Sequence, residues 1–479
     1  MNVISKAATA VLLYLLALVS QAAERDEALA YLDGASASYK ELAMTIWDHA
    51  ELGYQEQRSS ALLQNTLAAE GFKIEAGVAG IPTAFVASYG SGEPVIGMLA
   101  EFDALPGISQ SSAPERQLLE GRNSGHACGH HLFGAGSTAA AIAVKRWLAA
   151  TNGSGTIRLY GTPAEEGGSG KVYMVRAGLF DDADAVLVWH PADRNSADYS
   201  STLANKSAKF RFRGVSSHAA VAPERGRSAL DGVEAMNYMV NLLREHVPQE
   251  TRLHYVITSG GSAPNVVPDF AEVFYYVRHP NAETLKEIWT RVMAAAEAAA
   301  MGTGTTLEAE VIHGNHSVLP NEALATVMHG NLSSVGGVKY SASEKAYASK
   351  ITSTLGLSED LTGLETEIPP LKFHQLMGST DVGDVSWRVP TSEMRAATWV
   401  PGTSPHTWQA IAAGGTSIGA KGMMVAAKTL TLTAIDLFEQ PALLTAARKE
   451  FEQRLGPDFH YEALLGDRDP PLDYRKGVE

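Results

Sequence analysis

Short apolar segments that alternate with helical ones constrain the fold of this chain more than any other feature of its sequence. Between residues 94 and 189 the pattern predicts strand, helix, strand, helix and strand in turn. The predicted strands are 94–100, 156–160 and 185–189, and the predicted helices are 132–150 and 171–177. This alternation is typical of an α/β domain whose central sheet is flanked by helices.

Upstream, residues 26–69 have helical spacing, and 83–89 predicts one more strand. We expect that strand to be the neighbour of 94–100, joined to it by a turn at Gly90-Ser91-Gly92.

A different pattern begins near residue 204 and indicates an inserted domain. Strand, helix, strand, strand and helix follow one another, which predicts an α+β domain over residues 204–314. The interrupted α/β domain then comprises 23–203 and 315–445, with further helices at 321–335 and 404–427. Residues 446–479 form a C-terminal tail, whose polar end beyond Asp467 is expected on the surface.

Length and charge limit the classes of function. A chain of 479 residues is too long for one ordinary domain, which agrees with this organisation. Its formal net charge of −15 makes it a poor ligand for phosphate backbones, so nucleic acid is not an expected partner.

The N-terminus resembles a secretory signal. Lys6 precedes an apolar run over residues 7–19, and small residues follow in Ser20-Gln21-Ala22. We therefore predict a signal peptide over residues 1–22, a mature chain starting near Ala23, and export, with the periplasm as the expected location. An uncleaved membrane anchor is the alternative, but the run is short for a span and no stable membrane insertion is expected.

The single cysteine, Cys128, leaves no partner for an internal disulfide. It is therefore a buried filler, a nucleophile or a metal ligand. In Cys128-Gly129-His130 a thiol and an imidazole lie two residues apart, directly before a predicted helix. By itself the triplet is equally compatible with a buried cysteine beside a capping histidine.

Polar residues also follow the predicted strands. Asp103, Glu165, Glu166 and His190 all come just after an apolar run, and in open α/β sheets that edge is where sites form. An adjacent glutamate pair is usually a solvated surface pair, and a lone histidine is usually structural. The conjunction of cysteine, histidines and carboxylates at one edge nevertheless predicts a metal centre, with ligands that suit Zn²⁺ or Mn²⁺ better than Ca²⁺ or Mg²⁺.

Four motifs occur in the order in which they appear in the M20 metallopeptidases. They are His126-Ala127-Cys128-Gly129-His130, Pro163-Ala164-Glu165-Glu166-Gly167-Gly168, Ser217-His218-Ala219-Ala220 and Pro264-Asn265-Val266-Val267-Pro268. Over about residues 27–445 the chain therefore resembles the amidohydrolase branch of that family, with the hippurate and auxin-conjugate hydrolases. The segments 129–134, 378–387 and 406–409 resemble the members that act on p-aminobenzoyl-glutamate.

The resemblance implies which side chains do the chemistry. Glu165 matches the general base, and His218 matches a lid histidine that, in family dimers, reaches the partner's active site and steadies the oxyanion. Asn265 and Arg278 fall where lid residues hold the substrate carboxylate. The implied ligands of two divalent metal ions, Zn or Mn, are Cys128, His130, Glu166, His190 and His406.

The chain departs from the pattern of the branch at two places. His131 stands where the branch usually has aspartate, and Ala100-Glu101-Phe102-Asp103 replaces the usual Arg-Ala-Asp-Met-Asp. We expect Asp103 to orient a metal ligand. Whether Glu101 or His131 takes part in the metal site is left open.

The predicted function is metal-dependent hydrolysis of the amide bond of N-acyl or N-aroyl amino acids, with p-aminobenzoyl-glutamate favoured. A dipeptidase or aminoacylase would share the site. A hydrolase with Cys128 as nucleophile would keep its activity without metal, and a non-catalytic substrate-binding subunit of a heteromeric hydrolase would have no need of Glu165. The expected assembly is a homodimer, or a heteromer with a paralogous subunit.

Overall fold

The computed structural model describes residues 2–359 and 361–476, with side chains described from residue 23 onward. The predicted signal peptide, residues 1–22, therefore lies outside the residues whose side chains are described. Among the helices of the described part, none is long and apolar enough to cross a bilayer.

The strands are β1 (Lys73–Ala76), β2 (Phe85–Ser91), β3 (Val95–Ala100), β4 (Leu105–Pro106), β5 (Ser124–Gly125), β6 (Gly155–Gly161), β7 (Ala185–Ala192), β8 (Tyr199–Ser201), β9 (Ala204–Arg213), β10 (Arg252–Ser259), β11 (Phe270–His279), β12 (Thr306–Asn315), β13 (Phe373–Gln375) and β14 (Thr391–Ala397). The helices are α1 (Asn2–His49), α2 (Gln57–Ala69), α3 (His130–Thr151), α4 (Gly170–Arg176), α5 (Ala229–Leu243), α6 (Ala282–Thr303), α7 (Glu322–Val335), α8 (Ala342–Ser353), α9 (Val382–Ser386), α10 (Trp408–Gly414), α11 (Ser417–Glu439) and α12 (Pro441–Leu455).

A six-stranded mixed sheet in the order β1-β2-β6-β3-β7-β14 forms the centre of the larger domain. The strands β6, β3, β7 and β14 run parallel, which confirms the predicted α/β class. The prediction that 83–89 and 94–100 are neighbours is wrong, because β6 lies between β2 and β3 and hydrogen-bonds to both. The helix α3 carries the chain from β3 to β6, and such a crossover favours a parallel neighbour over a hairpin.

The helix α3 packs closely on this sheet because its residues are small. A Cβ at Gly136 would lie 2.8 Å from the Trp189 ring, and a Cβ at Gly134 would lie 2.9 Å from the carbonyl oxygen of Glu101. Neither position has room for a side chain, so α3 lies directly against the strands. This close approach brings the N-terminus of α3 to the C-terminal ends of β3, β6 and β7.

The inserted region has its own sheet, in the order β10-β11-β9-β12, and α5 and α6 pack on it. Buried and half-buried residues alternate along β11, and its buried apolar residues belong to the hydrophobic core of the inserted domain. They are Ala271, Val273, Tyr275 and Val277. The strand β12 (Thr306–Asn315) was not predicted; its two glutamates, Glu308 and Glu310, lie on one face. Across the sheet Arg211 pairs with Glu308 and Glu310, so these charges are compatible with a strand.

The helix predicted over 404–427 is two helices, α10 and α11, and this part of the prediction is wrong. His406 has a φ of +63°, which is not helical, so α10 begins only at Trp408. Between the helices a Cβ at Gly415 would lie 3.1 Å from the Trp47 ring, and Thr416 caps α11 by accepting a hydrogen bond from the N–H of Ile418. Because α10 begins only at Trp408, His406 lies in the preceding loop, which faces the ends of the parallel strands.

Candidate metal centre

One edge of the central sheet collects the side chains that could bind metal. Glu101 and Asp103 follow β3, Cys128 and His130 lie at the start of α3, Glu165 and Glu166 follow β6, His190 lies near the end of β7, and His406 precedes α10. These residues come from five separate segments of the sequence. Their convergence follows from the parallel strands, whose carboxyl ends share one edge.

Two groups of potential ligands share Cys128. Its Sγ lies 3.6 Å from His190 Nε2, and Cys128, His130 and His190 offer ligand atoms within 4.8 Å of one another. On the other side, Cys128, Glu166 and His406 form a second such group, in which His406 Nε2 is 3.2 Å from Glu166 Oε1. A thiolate between two sets of ligands is suited to bridge two adjacent ions.

Asp103 connects the two groups. His130 Nδ1 lies 3.0 Å from Asp103 Oδ1, and the N–H of Glu166 donates to Asp103 Oδ2 at 2.9 Å. Burial alone would raise the pKa of Asp103, but His130 and this N–H outweigh it and lower that pKa below its usual value. Asp103 therefore fixes the ring of His130, with Nε2 directed away from Asp103; that His130 is a metal ligand stays a prediction.

The other two histidines are held by different means. His190 Nδ1 contacts the carbonyl oxygen of Pro191 at 2.7 Å, which leaves Nε2 for the side facing Cys128. The side chain of His406 is 55% exposed, so this ligand lies at the open side of the centre. Hydrogen bonds with Cys128 and Glu166 raise the pKa of His406 to about 10.

The residues present fit a pair of transition-metal ions. His130 Nε2, Glu166 Oε1 and Glu101 Oε2 are buried and form no hydrogen bond of normal geometry among the described residues, although Glu101 Oε2 lies 3.0 Å from His130 Nε2 and His406 Nε2 lies 3.2 Å from Glu166 Oε1. Buried polar atoms normally have partners, so atoms that converge without hydrogen bonds indicate ligands that point at an ion. Thiolate, imidazole and carboxylate together suit Zn²⁺ or Mn²⁺.

Glu165 lies beside these ligands, and its carboxyl group has a raised pKa. Burial raises its pKa well above the usual value, and the neighbouring carboxylates of Glu101, Glu166 and Asp381 raise it further. A raised carboxyl pKa suits a group that accepts and releases a proton near neutral pH.

Lys171 is the residue that the sequence analysis missed. It is wholly buried, and its Nζ lies 2.7 Å from Glu101 Oε1 and 2.6 Å from Asp381 Oδ1. Burial disfavours the charge of Lys171, yet the two carboxylates outweigh it and raise its pKa. The sequence signal that could have identified Lys171 is its position as a charged residue near the start of the short, largely apolar helix α4.

The structure gives different answers for the two residues left open. Glu101 Oε2 lies 3.0 Å from His130 Nε2, and with Glu165 these residues form a third group of possible ligands, so Glu101 lies at the centre. His131 does not: its Nε2 lies 3.1 Å from the carbonyl oxygen of Gly414, and its ring packs against His126.

None of the implied lid residues forms a hydrogen bond or an ion pair with the proposed ligands among the described residues. His218 is exposed, and its Nδ1 accepts hydrogen bonds from the N–H groups of Ala220 and Val221. Asn265 is also exposed and is held only through its backbone, which accepts from Ala219. Arg278 is half-buried on β11, with its guanidinium 5.3 Å from the centre of the Tyr276 ring.

Comparisons with known proteins show to which proteins this chain is similar. Residues 203–303 match the peptidase dimerisation domain of the M20 family. One subunit of the p-aminobenzoyl-glutamate hydrolase of Escherichia coli is 42% identical, over 87% of this chain and 92% of that protein. The Xaa-Arg dipeptidase of Mus musculus is 30% identical, over 91% of this chain and 93% of that protein.

Solved structures share the fold at lower identity. An aminobenzoyl-glutamate utilization protein from Klebsiella pneumoniae has a TM-score of 0.61 at 19% identity, covering 85% of this chain and 97% of that one. A dinuclear metal-binding peptidase of the M20 family from Bacillus subtilis has a TM-score of 0.55 at 18% identity, covering 85% and 99%. Together the comparisons confirm the resemblance that the motifs indicated.

Proposed function

The chain belongs to the M20 family of metallopeptidases and amidohydrolases, and we propose that it hydrolyses N-acyl or N-aroyl amino acids, with p-aminobenzoyl-glutamate as the favoured substrate. That it is a hydrolase of amide bonds follows from its relatives. The single observation that carries the proposal is the arrangement of Cys128 between two groups of ligands, with the carboxyl of Glu165 beside them. Of the alternatives, a non-catalytic subunit is disfavoured because it has no need of such a carboxyl.

The site residues are proposed to form two metal-binding groups. Cys128, His130 and His190 would hold one divalent ion, and Cys128, Glu166 and His406 the other, with Zn or Mn proposed. When bound, such ions lower the pKa of a coordinated water and polarise the substrate carbonyl. Asp103 keeps His130 in the tautomer that presents Nε2 as a ligand.

Glu165 moves the proton. In the proposed reaction its carboxylate takes a proton from the attacking water and passes it to the leaving amine nitrogen as the amide bond breaks. The raised pKa of Glu165 supports this role, since a strongly acidic carboxyl would hold the proton too weakly to carry it. Lys171 is fully engaged by Glu101 and Asp381, so it serves as a fixed charge rather than as a proton carrier.

The lid residues are proposed to act when the site closes. His218 would steady the oxyanion of the partner subunit's substrate, and Asn265 with Arg278 would hold the substrate carboxylate. The exposure of His218 supports a role outside its own subunit, and the dimerisation-domain match supports assembly. A homodimer is proposed first. A heteromer with a paralogous subunit is the second possibility, because the 42% identical relative is one subunit of a hydrolase whose other subunit is 26% identical to this chain.

Export to the periplasm is proposed from residues 1–22 alone. The basic residue, the apolar run and the small residues before Ala23 have the order of a cleavable signal. Sequencing of the N-terminus of the mature protein from a periplasmic extract tests this; recovery of the full-length chain in the membrane fraction would contradict it.

The function is tested on metal-loaded protein and on the same protein after chelation. The substrates are p-aminobenzoyl-glutamate, hippurate and a dipeptide that ends in arginine, with the released amino acid as readout. We expect cleavage of p-aminobenzoyl-glutamate that is lost on chelation and restored by Zn²⁺ or Mn²⁺. A preference for the arginine dipeptide would favour a dipeptidase instead, and activity that survives chelation would favour Cys128 as nucleophile.

A further inference from the structure

The last described part of the chain, residues 456–476, is here called the C-terminal strap. The end beyond Asp467 lies at the surface, where its described residues are exposed or half-buried, and the strap as a whole packs across both domains. Leu464 lies in the core of the inserted domain, and the adjacent Leu465 lies in the core of the catalytic domain. Arg468 then pairs with Glu310 of β12. The strap therefore crosses the junction between the lid and the catalytic domain.

The strap ends at the metal centre. The hydroxyl of Tyr474 donates to the carbonyl oxygen of Glu166 at 3.2 Å, and the guanidinium of Arg475 donates to the same oxygen at 2.6 Å. Further back, Gln55 donates to the carbonyl oxygen of Leu472 at 2.8 Å. These contacts hold Arg475 against the backbone of Glu166, a proposed metal ligand.

Arg475 is not neutralised by the protein. Among the described residues no carboxylate forms an ion pair with Arg475 or with Arg278, in a chain whose net charge is −15. The Nε of Arg278 is buried and has no hydrogen-bond partner among those residues. A guanidinium has five donors, so both side chains keep donors that are available to an anion.

The two cations act on the same place. Tyr276 of β11 lies under the guanidinium of Arg278, and while burial raises the pKa of the Tyr276 hydroxyl, the charges of Arg278 and Arg475 both lower it. The negative charge of Glu166 also acts on this hydroxyl and raises its pKa. Arg278 comes from the lid and Arg475 from the strap, so two separate segments bring guanidiniums without a carboxylate partner in the described part of the chain to the surroundings of Tyr276.

We propose that Arg475 is a specificity-determining residue, which binds the side-chain carboxylate of an N-acyl dicarboxylic amino acid while Arg278 binds its α-carboxylate. The inference rests on the proposed function and narrows its substrate class to acyl-glutamates and acyl-aspartates. A planar guanidinium binds a carboxylate through two parallel hydrogen bonds, which an uncharged amide does not reproduce. The strap is then part of the active site rather than an appendage.

The test compares p-aminobenzoyl-glutamate with p-aminobenzoyl-glutamine, which differ only in the charge of the side chain. In the metal-loaded full chain, Arg475→Gln should raise KM for the glutamate substrate by roughly 10–100-fold and change KM for the glutamine substrate by less than about threefold. Arg475→Lys should retain part of the preference. Arg468→Gln is the matched control: it removes a strap cation that already has a partner, Glu310, and should leave the preference unchanged.

A parallel loss on both substrates would overturn the proposal, because Arg475 would then act only by positioning Glu166. Metal content, measured on each variant, should be unchanged in Arg475→Gln. If the unaltered protein cleaves neither substrate, the proposed function fails on its own. Calorimetric titration with free glutamate and free glutamine then decides the inference: a preference for glutamate that Arg475→Gln abolishes supports it, and equal binding overturns it.

Discussion

The metal centre on the catalytic domain and the exposed pair His218 and Asn265 on the lid are built in opposite ways. At the centre three side chains are held in place: Asp103 holds His130, the carbonyl oxygen of Pro191 holds His190, and Lys171 holds Glu101. On the lid, His218 Nδ1 accepts hydrogen bonds from its own loop, the carbonyl oxygen of Asn265 accepts one from Ala219, and both side chains are exposed. The contrast indicates that the catalytic domain is preorganised, whereas the roles proposed for His218 and Asn265 require closure or a partner subunit.

The largest expected effect is a loss of turnover at the metal centre without loss of metal. Glu165→Gln keeps the shape of the side chain and removes the proton acceptor, so turnover should fall by about 10²–10⁴-fold or more. Metal content, measured by elemental analysis, should equal that of the unaltered protein. Loss of metal together with activity would instead make Glu165 a ligand.

The second prediction tests how strongly the catalytic domain depends on its buried cation. Lys171→Met leaves the carboxylates of Glu101 and Asp381 buried without their partner, which should cost about 3–5 kcal/mol of unfolding free energy. The control is Lys421→Met: Lys421 pairs with Glu344 but is 42% exposed, and its loss should cost about 1 kcal/mol or less. Urea unfolding of the metal-free proteins measures both, and equal losses would show that burial of the bridge is not important.

The third prediction concerns the lid. His218→Ala should lower kcat by about 10²–10³-fold, since it removes a donor to the oxyanion, and should leave metal content and KM nearly unchanged. Steady-state kinetics with elemental analysis separates these quantities.

Mixing two inactive proteins shows whether His218 serves its partner. When subunits of Glu165→Gln and His218→Ala exchange, some dimers should carry one site with both residues intact, and part of the activity should return. Exchange followed independently, by mass spectrometry of tagged subunits, is the control. Exchange without recovery would mean that His218 acts within its own subunit.

The smallest expected effect sharpens the role of the shared ligand. Cys128→Ser replaces a thiolate with a poorer ligand for a borderline-soft ion and should weaken metal binding by more than about tenfold. Competition with a chromophoric chelator measures the affinity, and Ser137→Ala, a buried change in α3, the helix that begins two residues after Cys128, serves as the control. Unchanged affinity in Cys128→Ser would return Cys128 to the role of a core residue.

Much of the metal centre could be predicted because its residues occur in short motifs that are visible in the sequence. Cys128 and His130 precede a helix of small residues, and Glu165 with Glu166 follows an apolar strand, so both the residue types and their place at strand ends can be read directly. The motifs then placed these residues in a family, which the comparisons confirmed. The assignment of each site residue to its role stays a prediction that the variants above test.

The sequence by itself determined most of the strands and helices around the site, the α/β class and the types of side chain at the sheet edge, because periodicity and turn residues act over a few positions. Only the tertiary structure decided that β6 separates β2 from β3, that Lys171 bridges Glu101 and Asp381, and that the C-terminal strap ends at Glu166. Each of these depends on contacts between distant segments. Such contacts form because buried charges and backbone groups must find partners, and a local pattern does not specify which segment supplies them.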